Sequence, residues 1–146
     1  RGMGKVVAVC VSKEKGTRKT NVGAAKLLRD WGIENDAHGG RWHRQVSLLS
    51  FEKTEEFRQK GAEIPYGAFG ENLLVSGYDF KSYHVGTKFR CNDVILELTQ
   101  IGKECHNHCE IYKTMGECIM PTEGVFARVI HGGIISSGDK LCLLKE

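Results

Sequence analysis

No apolar run in this sequence approaches the ~18–20 residues that a membrane-spanning helix needs, so a helical membrane protein is not expected. A net charge of one sign is lacking too. Lysine and arginine exceed aspartate and glutamate by only +3 and are dispersed among them, without the basic stripe that a nucleic-acid footprint requires. Cysteine is sparse for a disulfide scaffold: six residues in a chain of 146. The strand-like pattern from Lys5 onward is not a signal peptide, so reduced thiols and a cytoplasmic protein are expected. Internal repeats, low-complexity tracts and linkers are missing as well. Arg1-Gly2 ahead of Met3 reads as a tag remnant, which leaves 3–146 as one expected domain. A chain of this size can bury roughly two-thirds of its unfolded surface in a single core.

Lys5–Val11 is β-branched and apolar, the mark of a buried strand. Asn21 is placed to cap a helix ending at Gly32, in which Ala24, Leu27, Leu28 and Trp31 recur at helical spacing. Residues 33–44 are rich in turn formers, and Gln45–Leu49 is a short strand. Ser50 can cap a helix running to Gln59, with Gly61 at its end. Asn72–Val75, Thr87–Cys91 and Val94–Gln100 read as strands, the last two joined by an Asn92-Asp93 turn. Thr122 can cap a third helix carrying Val125, Phe126, Val129 and Ile130, stopped by Gly132-Gly133, before strands at Ile134-Ile135 and Lys140–Leu144. About seven strands and three short helices without a βαβ rhythm predict a mainly β (α+β) fold. The expected architecture is an antiparallel, Greek-key-like β-barrel with helices packed on it.

The densest chemistry lies in Cys105-His106-Asn107-His108-Cys109 and the nearby Cys118. Thiolate is both a strong nucleophile and a soft metal ligand, and imidazole is a common borderline ligand. Three readings follow: a metal site, with zinc the natural candidate; a reactive thiol; or packing. Lys103, His106 and His108 would favour a thiolate at Cys105 if they meet it in space, and Cys109 or Cys118 could support it. Cys10, Cys91 and Cys142 read as small core residues. Two further segments carry polar groups among glycines. Asp36-Ala37-His38-Gly39-Gly40-Arg41 could bring an anion to backbone amides or be a polar turn. Gly70-Glu71-Asn72 could place a carboxylate and an amide at a strand entrance or be a plain turn.

In their order and spacing these segments resemble the MOSC domain, a family named for the C-terminal region of molybdenum-cofactor sulfurases. The resemblance rests on 32–40 (Gly-Ile-Glu-Asn-Asp-Ala-His-Gly-Gly), 44–48 (Arg-Gln-Val-Ser-Leu) and 67–73 (Gly-Ala-Phe-Gly-Glu-Asn-Leu). It also rests on Val85-Gly86, the Cys105 segment and 138–141 (Gly-Asp-Lys-Leu). The run from Gly102 to Ile130 is similar to short, stand-alone bacterial members. The resemblance implies a β-barrel in which Cys105 carries sulfur or ligates the molybdenum of a bound pterin cofactor. It places Asp36, His38, Arg41, Glu71, Asn72 and Arg128 around that cofactor. The implied partners are a sulfur donor such as a cysteine desulfurase, and molybdenum-cofactor biosynthesis proteins or molybdoenzymes. The sequence carries no pyridoxal-phosphate segment, so sulfur extraction would fall to the donor. It reads Gly102-Lys103-Glu104 where many relatives have Arg and Pro. Two other readings stay open: a zinc-binding interaction module, and a reductase of oxidised nitrogen compounds.

Overall fold

A computed structural model of the chain describes residues 3–61, 63–104 and 119–145. Eleven strands are present: β1 (Met3–Val11), β2 (Thr20–Asn21), β3 (Ala24–Leu28), β4 (Gly32–Ile33), β5 (Val46–Ser50), β6 (Leu73–Ser76), β7 (Lys88–Cys91), β8 (Val94–Ile101), β9 (Val125–His131), β10 (Gly133–Ser136) and β11 (Lys140–Lys145). Among the described residues, two short helices, α1 (Phe51–Arg58) and α2 (Met120–Glu123), and a 3₁₀ turn at Phe80–Ser82 accompany them.

Seven strands close on themselves in the order β11-β7-β8-β9-β5-β6-β1, with β1 pairing back to β11. The fold is therefore mainly β and a barrel, as the strand count implies. Closure leaves none of these seven strands with a free edge along its whole length. One pair departs from the antiparallel expectation: β5 and β6 run parallel, joined through α1 and the loop after it. A parallel pair needs such a crossover, and Ser50 starts it by accepting a hydrogen bond from the Lys53 N–H at 3.4 Å. The interior is filled by alternate residues of the strands, among them Val6, Leu48, Leu73, Phe89, Leu96, Leu98 and Val129. A second apolar layer, with Leu49, Phe57, Phe69, Leu74 and Met120, lies outside the barrel under α1 and the loop before β6.

Two expected helices are strands. The segment from Asn21 to Gly32 forms β3 and β4, with β3 paired to β10. Its four helically spaced residues do not share a face: Leu27 is buried, whereas Ala24 and Trp31 are exposed. Asp30 sits at φ 51, which folds the chain into a tight hairpin where a helix would need continuous right-handed geometry. Gly32, at φ 126, backs onto the carbonyl of Gln45, where a β-carbon would lie 2.7 Å from oxygen. The segment from Val125 to His131 is β9, held on both sides by β5 and β8. Its Val and Ile residues suit a pleated surface, and only Met120–Glu123, led by Pro121, stays helical. Among the described residues no helix is long and apolar enough to cross a membrane.

Candidate functional site

At one end of the barrel, loops after β1, β4 and β8 meet the loop before β6 and the start of α2. They enclose a cleft lined by Gly16, Thr17, His38, Arg44, Ser47, Phe69, Gly70, Lys103, Met120 and Phe126. No acidic side chain is among these residues, so the lining is cationic and apolar. Arg44 is fixed from two sides. Its Nε donates to Gln100 Oε1 at 3.0 Å, and its guanidinium lies over the Phe126 ring at 5.1 Å.

Behind His38 sits a buried lysine. Lys19 leaves the loop after β1, and its side chain is fully enclosed. Its ammonium lies 2.9 Å from Asp36 Oδ1, 3.0 Å from Ser12 Oγ and 3.0 Å from His38 Nδ1. The Asp36 carboxylate also accepts the Ser12 N–H at 3.0 Å and the His38 N–H at 3.1 Å. Burial alone would raise the Asp36 pKa. The hydrogen bond and charge of Lys19, with the two N–H groups, outweigh burial and hold the pKa below the usual carboxylate range. His38 is pushed the other way for its type, down to about 4. Burial disfavours the imidazolium, and the charges of Lys19, Lys15 and Lys103 add to that against the opposing pull of Asp36. Trp42 stacks parallel to the His38 ring at 6.2 Å and donates from Nε1 to the His38 carbonyl at 2.8 Å. Lys15 lies over the other part of this wall, 4.5 Å from the Trp42 ring centre.

The Gly67–Asn72 motif forms the opposite corner, and its polar groups point inward. Glu71 is buried and accepts from the Gly67 N–H at 2.8 Å and the Phe69 N–H at 3.1 Å. Burial pushes its pKa up to about 7 against those hydrogen bonds. Asn72 is fully buried. Its Oδ1 accepts from the Ser47 N–H and hydroxyl, and its Nδ2 donates to the Cys10 carbonyl at 2.9 Å. One side chain thus ties β1, β5 and β6 together. Gly67 connects the two corners, because its carbonyl accepts the Lys19 N–H at 2.9 Å. At its φ of 90 a β-carbon would lie 2.1 Å from the Lys19 carbonyl oxygen, so only glycine fits there.

The residues singled out from sequence fall into four groups. Asp36, His38 and Lys103 meet around the cleft. Glu71 and Asn72 lie behind its wall, bonded to backbone. Arg41 and Arg128 line a separate groove with Arg29 and Asp30, on the far side of Trp42, and Arg128 also pairs with Glu97 at 2.9 Å. Cys105, His106, His108, Cys109 and Cys118 lie outside the described residues. The described chain does, however, run through Lys103 in the cleft wall two residues before Cys105, and resumes at Ile119 beside Met120 in the same wall. Among the described residues no group of three or more His, Cys, Asp or Glu converges as a metal site. Cys10 and Cys91 are core residues, both with thiols pushed up to about 12, chiefly by burial. Sequence reading passed over Lys19 and Trp42, and it quoted Arg44 in the 44–48 segment without giving it a role. Nothing in Arg18-Lys19-Thr20 marks a lysine as buried, whereas Trp42 follows the Asp36–Arg41 segment and Arg44 opens the 44–48 segment, so both could have been weighed from position.

The MOSC domain family model matches residues 35–142, which takes in His38, Arg44, Lys103 and the cysteine segment. The fold is similar to the YuaD protein of Bacillus subtilis, at 19% identity and a TM-score of 0.79, covering 95% of this chain and 94% of that one. It is similar to YiiM of Geobacillus stearothermophilus, at 19% identity and 0.75, covering 97% and 75%. YiiM of Escherichia coli follows at 19% and 0.68, covering 98% and 69%. No curated protein matches the sequence.

Proposed function

The chain belongs to the MOSC domain family, and from that premise we propose that it is a molybdenum-cofactor-associated protein in which Cys105 carries sulfur or ligates the cofactor's molybdenum. One observation supports this most. Lys103, two residues before Cys105, lines a cleft that is cationic and, among the described residues, free of acidic side chains, and that is backed by the Lys19-Asp36-His38 network.

The lining fits an anionic, phosphate-bearing cofactor. Arg44 and Lys103 offer positive charge, and Phe69, Met120 and Phe126 offer an apolar floor. Across Trp42, Arg41 and Arg128 offer guanidinium groups to a phosphate. When bound, the cofactor supplies a thiophilic molybdenum, for which a thiolate is a suitable soft ligand. The sulfur-carrier chemistry itself needs only the chain and its partners. The Cys105 thiolate attacks the terminal sulfur of a donor persulfide, the donor's S–S bond breaks, and the donor leaves as a thiolate while Cys105 becomes the persulfide. Transfer to an acceptor thiolate repeats the exchange in the outward direction, with no net oxidation. Lys103 and Arg44 favour the anionic forms on both sides of each step. A cysteine desulfurase suits the donor role, and molybdenum-cofactor biosynthesis proteins or molybdoenzymes suit the acceptor role.

The test is anaerobic incubation of the reduced protein with free molybdenum cofactor, followed by gel filtration and quantification of molybdenum, pterin and zinc. Wild type is expected to retain molybdenum and pterin together, and Cys105→Ser to lose the molybdenum. Equal retention by both proteins would remove Cys105 from the site. Zinc at one equivalent with no pterin in either protein would favour a zinc-binding interaction module.

A further inference from the structure

We infer that Lys19 is the positioning residue that locks His38 as a neutral imidazole with its proton on Nε2, so that the cleft presents a hydrogen-bond donor to an oxyanion. The inference rests on the cleft being a ligand site, as proposed above, and not on the ligand being the molybdenum cofactor.

The protons can be placed by counting. A lysine ammonium has three donors and no acceptor. Three acceptors surround Lys19 Nζ at 2.9–3.0 Å: Asp36 Oδ1, Ser12 Oγ and His38 Nδ1. The Ser12 hydroxyl directs its own proton to the Glu14 carbonyl at 2.9 Å, which leaves a lone pair on Oγ for Lys19. The Asp36 carboxylate cannot donate. The third ammonium proton therefore falls on His38 Nδ1, which must be the unprotonated nitrogen, and the ring proton of the neutral imidazole resides on Nε2.

With Nδ1 turned back to Lys19, Nε2 lies on the other side of the ring. His38 lines the cleft and its side chain keeps 23% of its surface open. Stacking on Trp42 holds the ring plane. The charged groups facing this ring are Lys19 and Asp36 behind it, with Lys15 and Lys103 nearby and Arg44 in the shared lining. Among the described residues, four cations and one carboxylate surround the ring and disfavour a further positive charge on the imidazole. A neutral donor flanked by fixed cations suits an anionic oxygen, and its donor capacity does not change across the neutral pH range.

The test is a long-range ¹H–¹⁵N imidazole spectrum of the labelled protein from about pH 5.5 to 8.5, repeated with inorganic sulfate as the probe oxyanion. His38 is expected to show the Nε2–H form throughout and to shift on addition of sulfate. Lys19→Met is expected to give mixed tautomers or a titrating ring. Should that variant fail to fold, the wild-type spectrum decides alone: an Nδ1–H form, or titration within that range, overturns the lock. Ser12→Ala removes one acceptor and leaves the other two, so it should keep the Nε2–H form; mixed tautomers there would also count against the inference. His38→Phe should weaken sulfate binding about tenfold and His38→Gln, which keeps a donor, should restore most of it. Unchanged affinity in His38→Phe overturns the oxyanion role. A positive spectrum with no cofactor retention would leave this inference standing and sink the cofactor reading.

Discussion

The cleft has two polar corners of similar burial and opposite design. At the Asp36-His38 corner, a buried cation and anion are satisfied by one another, and one imidazole nitrogen on the open side has no hydrogen-bond partner among the described residues. At the Glu71-Asn72 corner, the carboxylate and the amide are taken up by backbone groups of Gly67, Phe69, Ser47 and Cys10. The first arrangement leaves a polar group facing the cleft, and the second holds three strands in register. The contrast teaches that buried polar residues at a motif are not equivalent. What separates them is whether a donor or acceptor remains after the protein has bonded to itself.

Lys19→Met presses this comparison hardest. It strands the Asp36 carboxylate in a buried site, and the expected loss is about 3–5 kcal/mol of unfolding free energy, measured by urea titration. A loss below about 1 kcal/mol would mean that the pair behaves like a surface ion pair. Next comes Asn72→Ala, expected to cost about 3 kcal/mol because it leaves the Cys10 carbonyl and the Ser47 N–H without partners inside the barrel wall. If Asn72 served a ligand and not the strands, stability would hold and only binding would fall.

The two corners also differ in the sign of their pH dependence. Glu71 has its pKa raised from 4.5 to about 7, so the folded state keeps a proton that the unfolded chain has released. Its contribution to stability therefore declines as pH rises through that window and is flat above it. His38 has its pKa lowered from 6.5 to about 4, so between those values the unfolded chain binds a proton that the folded state refuses. Its contribution rises with pH over that window. Asp36, lowered from 3.8, contributes stability that is lost only as pH falls through its still lower folded value. Urea titrations at a series of pH values should show the decline removed in Glu71→Gln, a relative change of about 3 kcal/mol across the window. Parallel profiles for the two proteins would contradict it. The smallest effect belongs to the separate groove. Arg128→Ala removes an exposed pair with Glu97 and should cost about 0.5 kcal/mol or less by the same measurement.

The barrel was legible where local pattern and tertiary pairing agree. Val94, Leu96 and Leu98 alternate and are buried, Asn92 takes the left-handed turn, and Ser50 caps α1. It was illegible where the deciding partner is remote. Val125–Ile130 carries a spacing that suits a helix, but the ladders of β5 and β8 make it β9, and no short window contains those strands. The same holds for β3, whose partner β10 lies about a hundred residues on. Asp36 and His38 were accessible through the motif. Lys19 was not, because its side chain is enclosed among Ser12, Asp36 and His38, which lie 7 to 19 residues away in sequence. The grouping of Arg41 and Arg128 away from His38 follows from Arg128 being the outward residue of β9, which strand alternation could have shown had β9 been read as a strand.

The cysteines offer the most direct trial of the account. The reduced protein should be exposed anaerobically to a cysteine desulfurase and free cysteine, and its peptides mapped by mass spectrometry for added sulfur. The account predicts a persulfide on Cys105, lost in Cys105→Ser, and none on Cys10 or Cys91, whose buried thiols stay protonated. Sulfur acceptance that is unchanged in Cys105→Ser, or absent from Cys105 in the wild type, would contradict the sulfur-carrier role proposed for this chain.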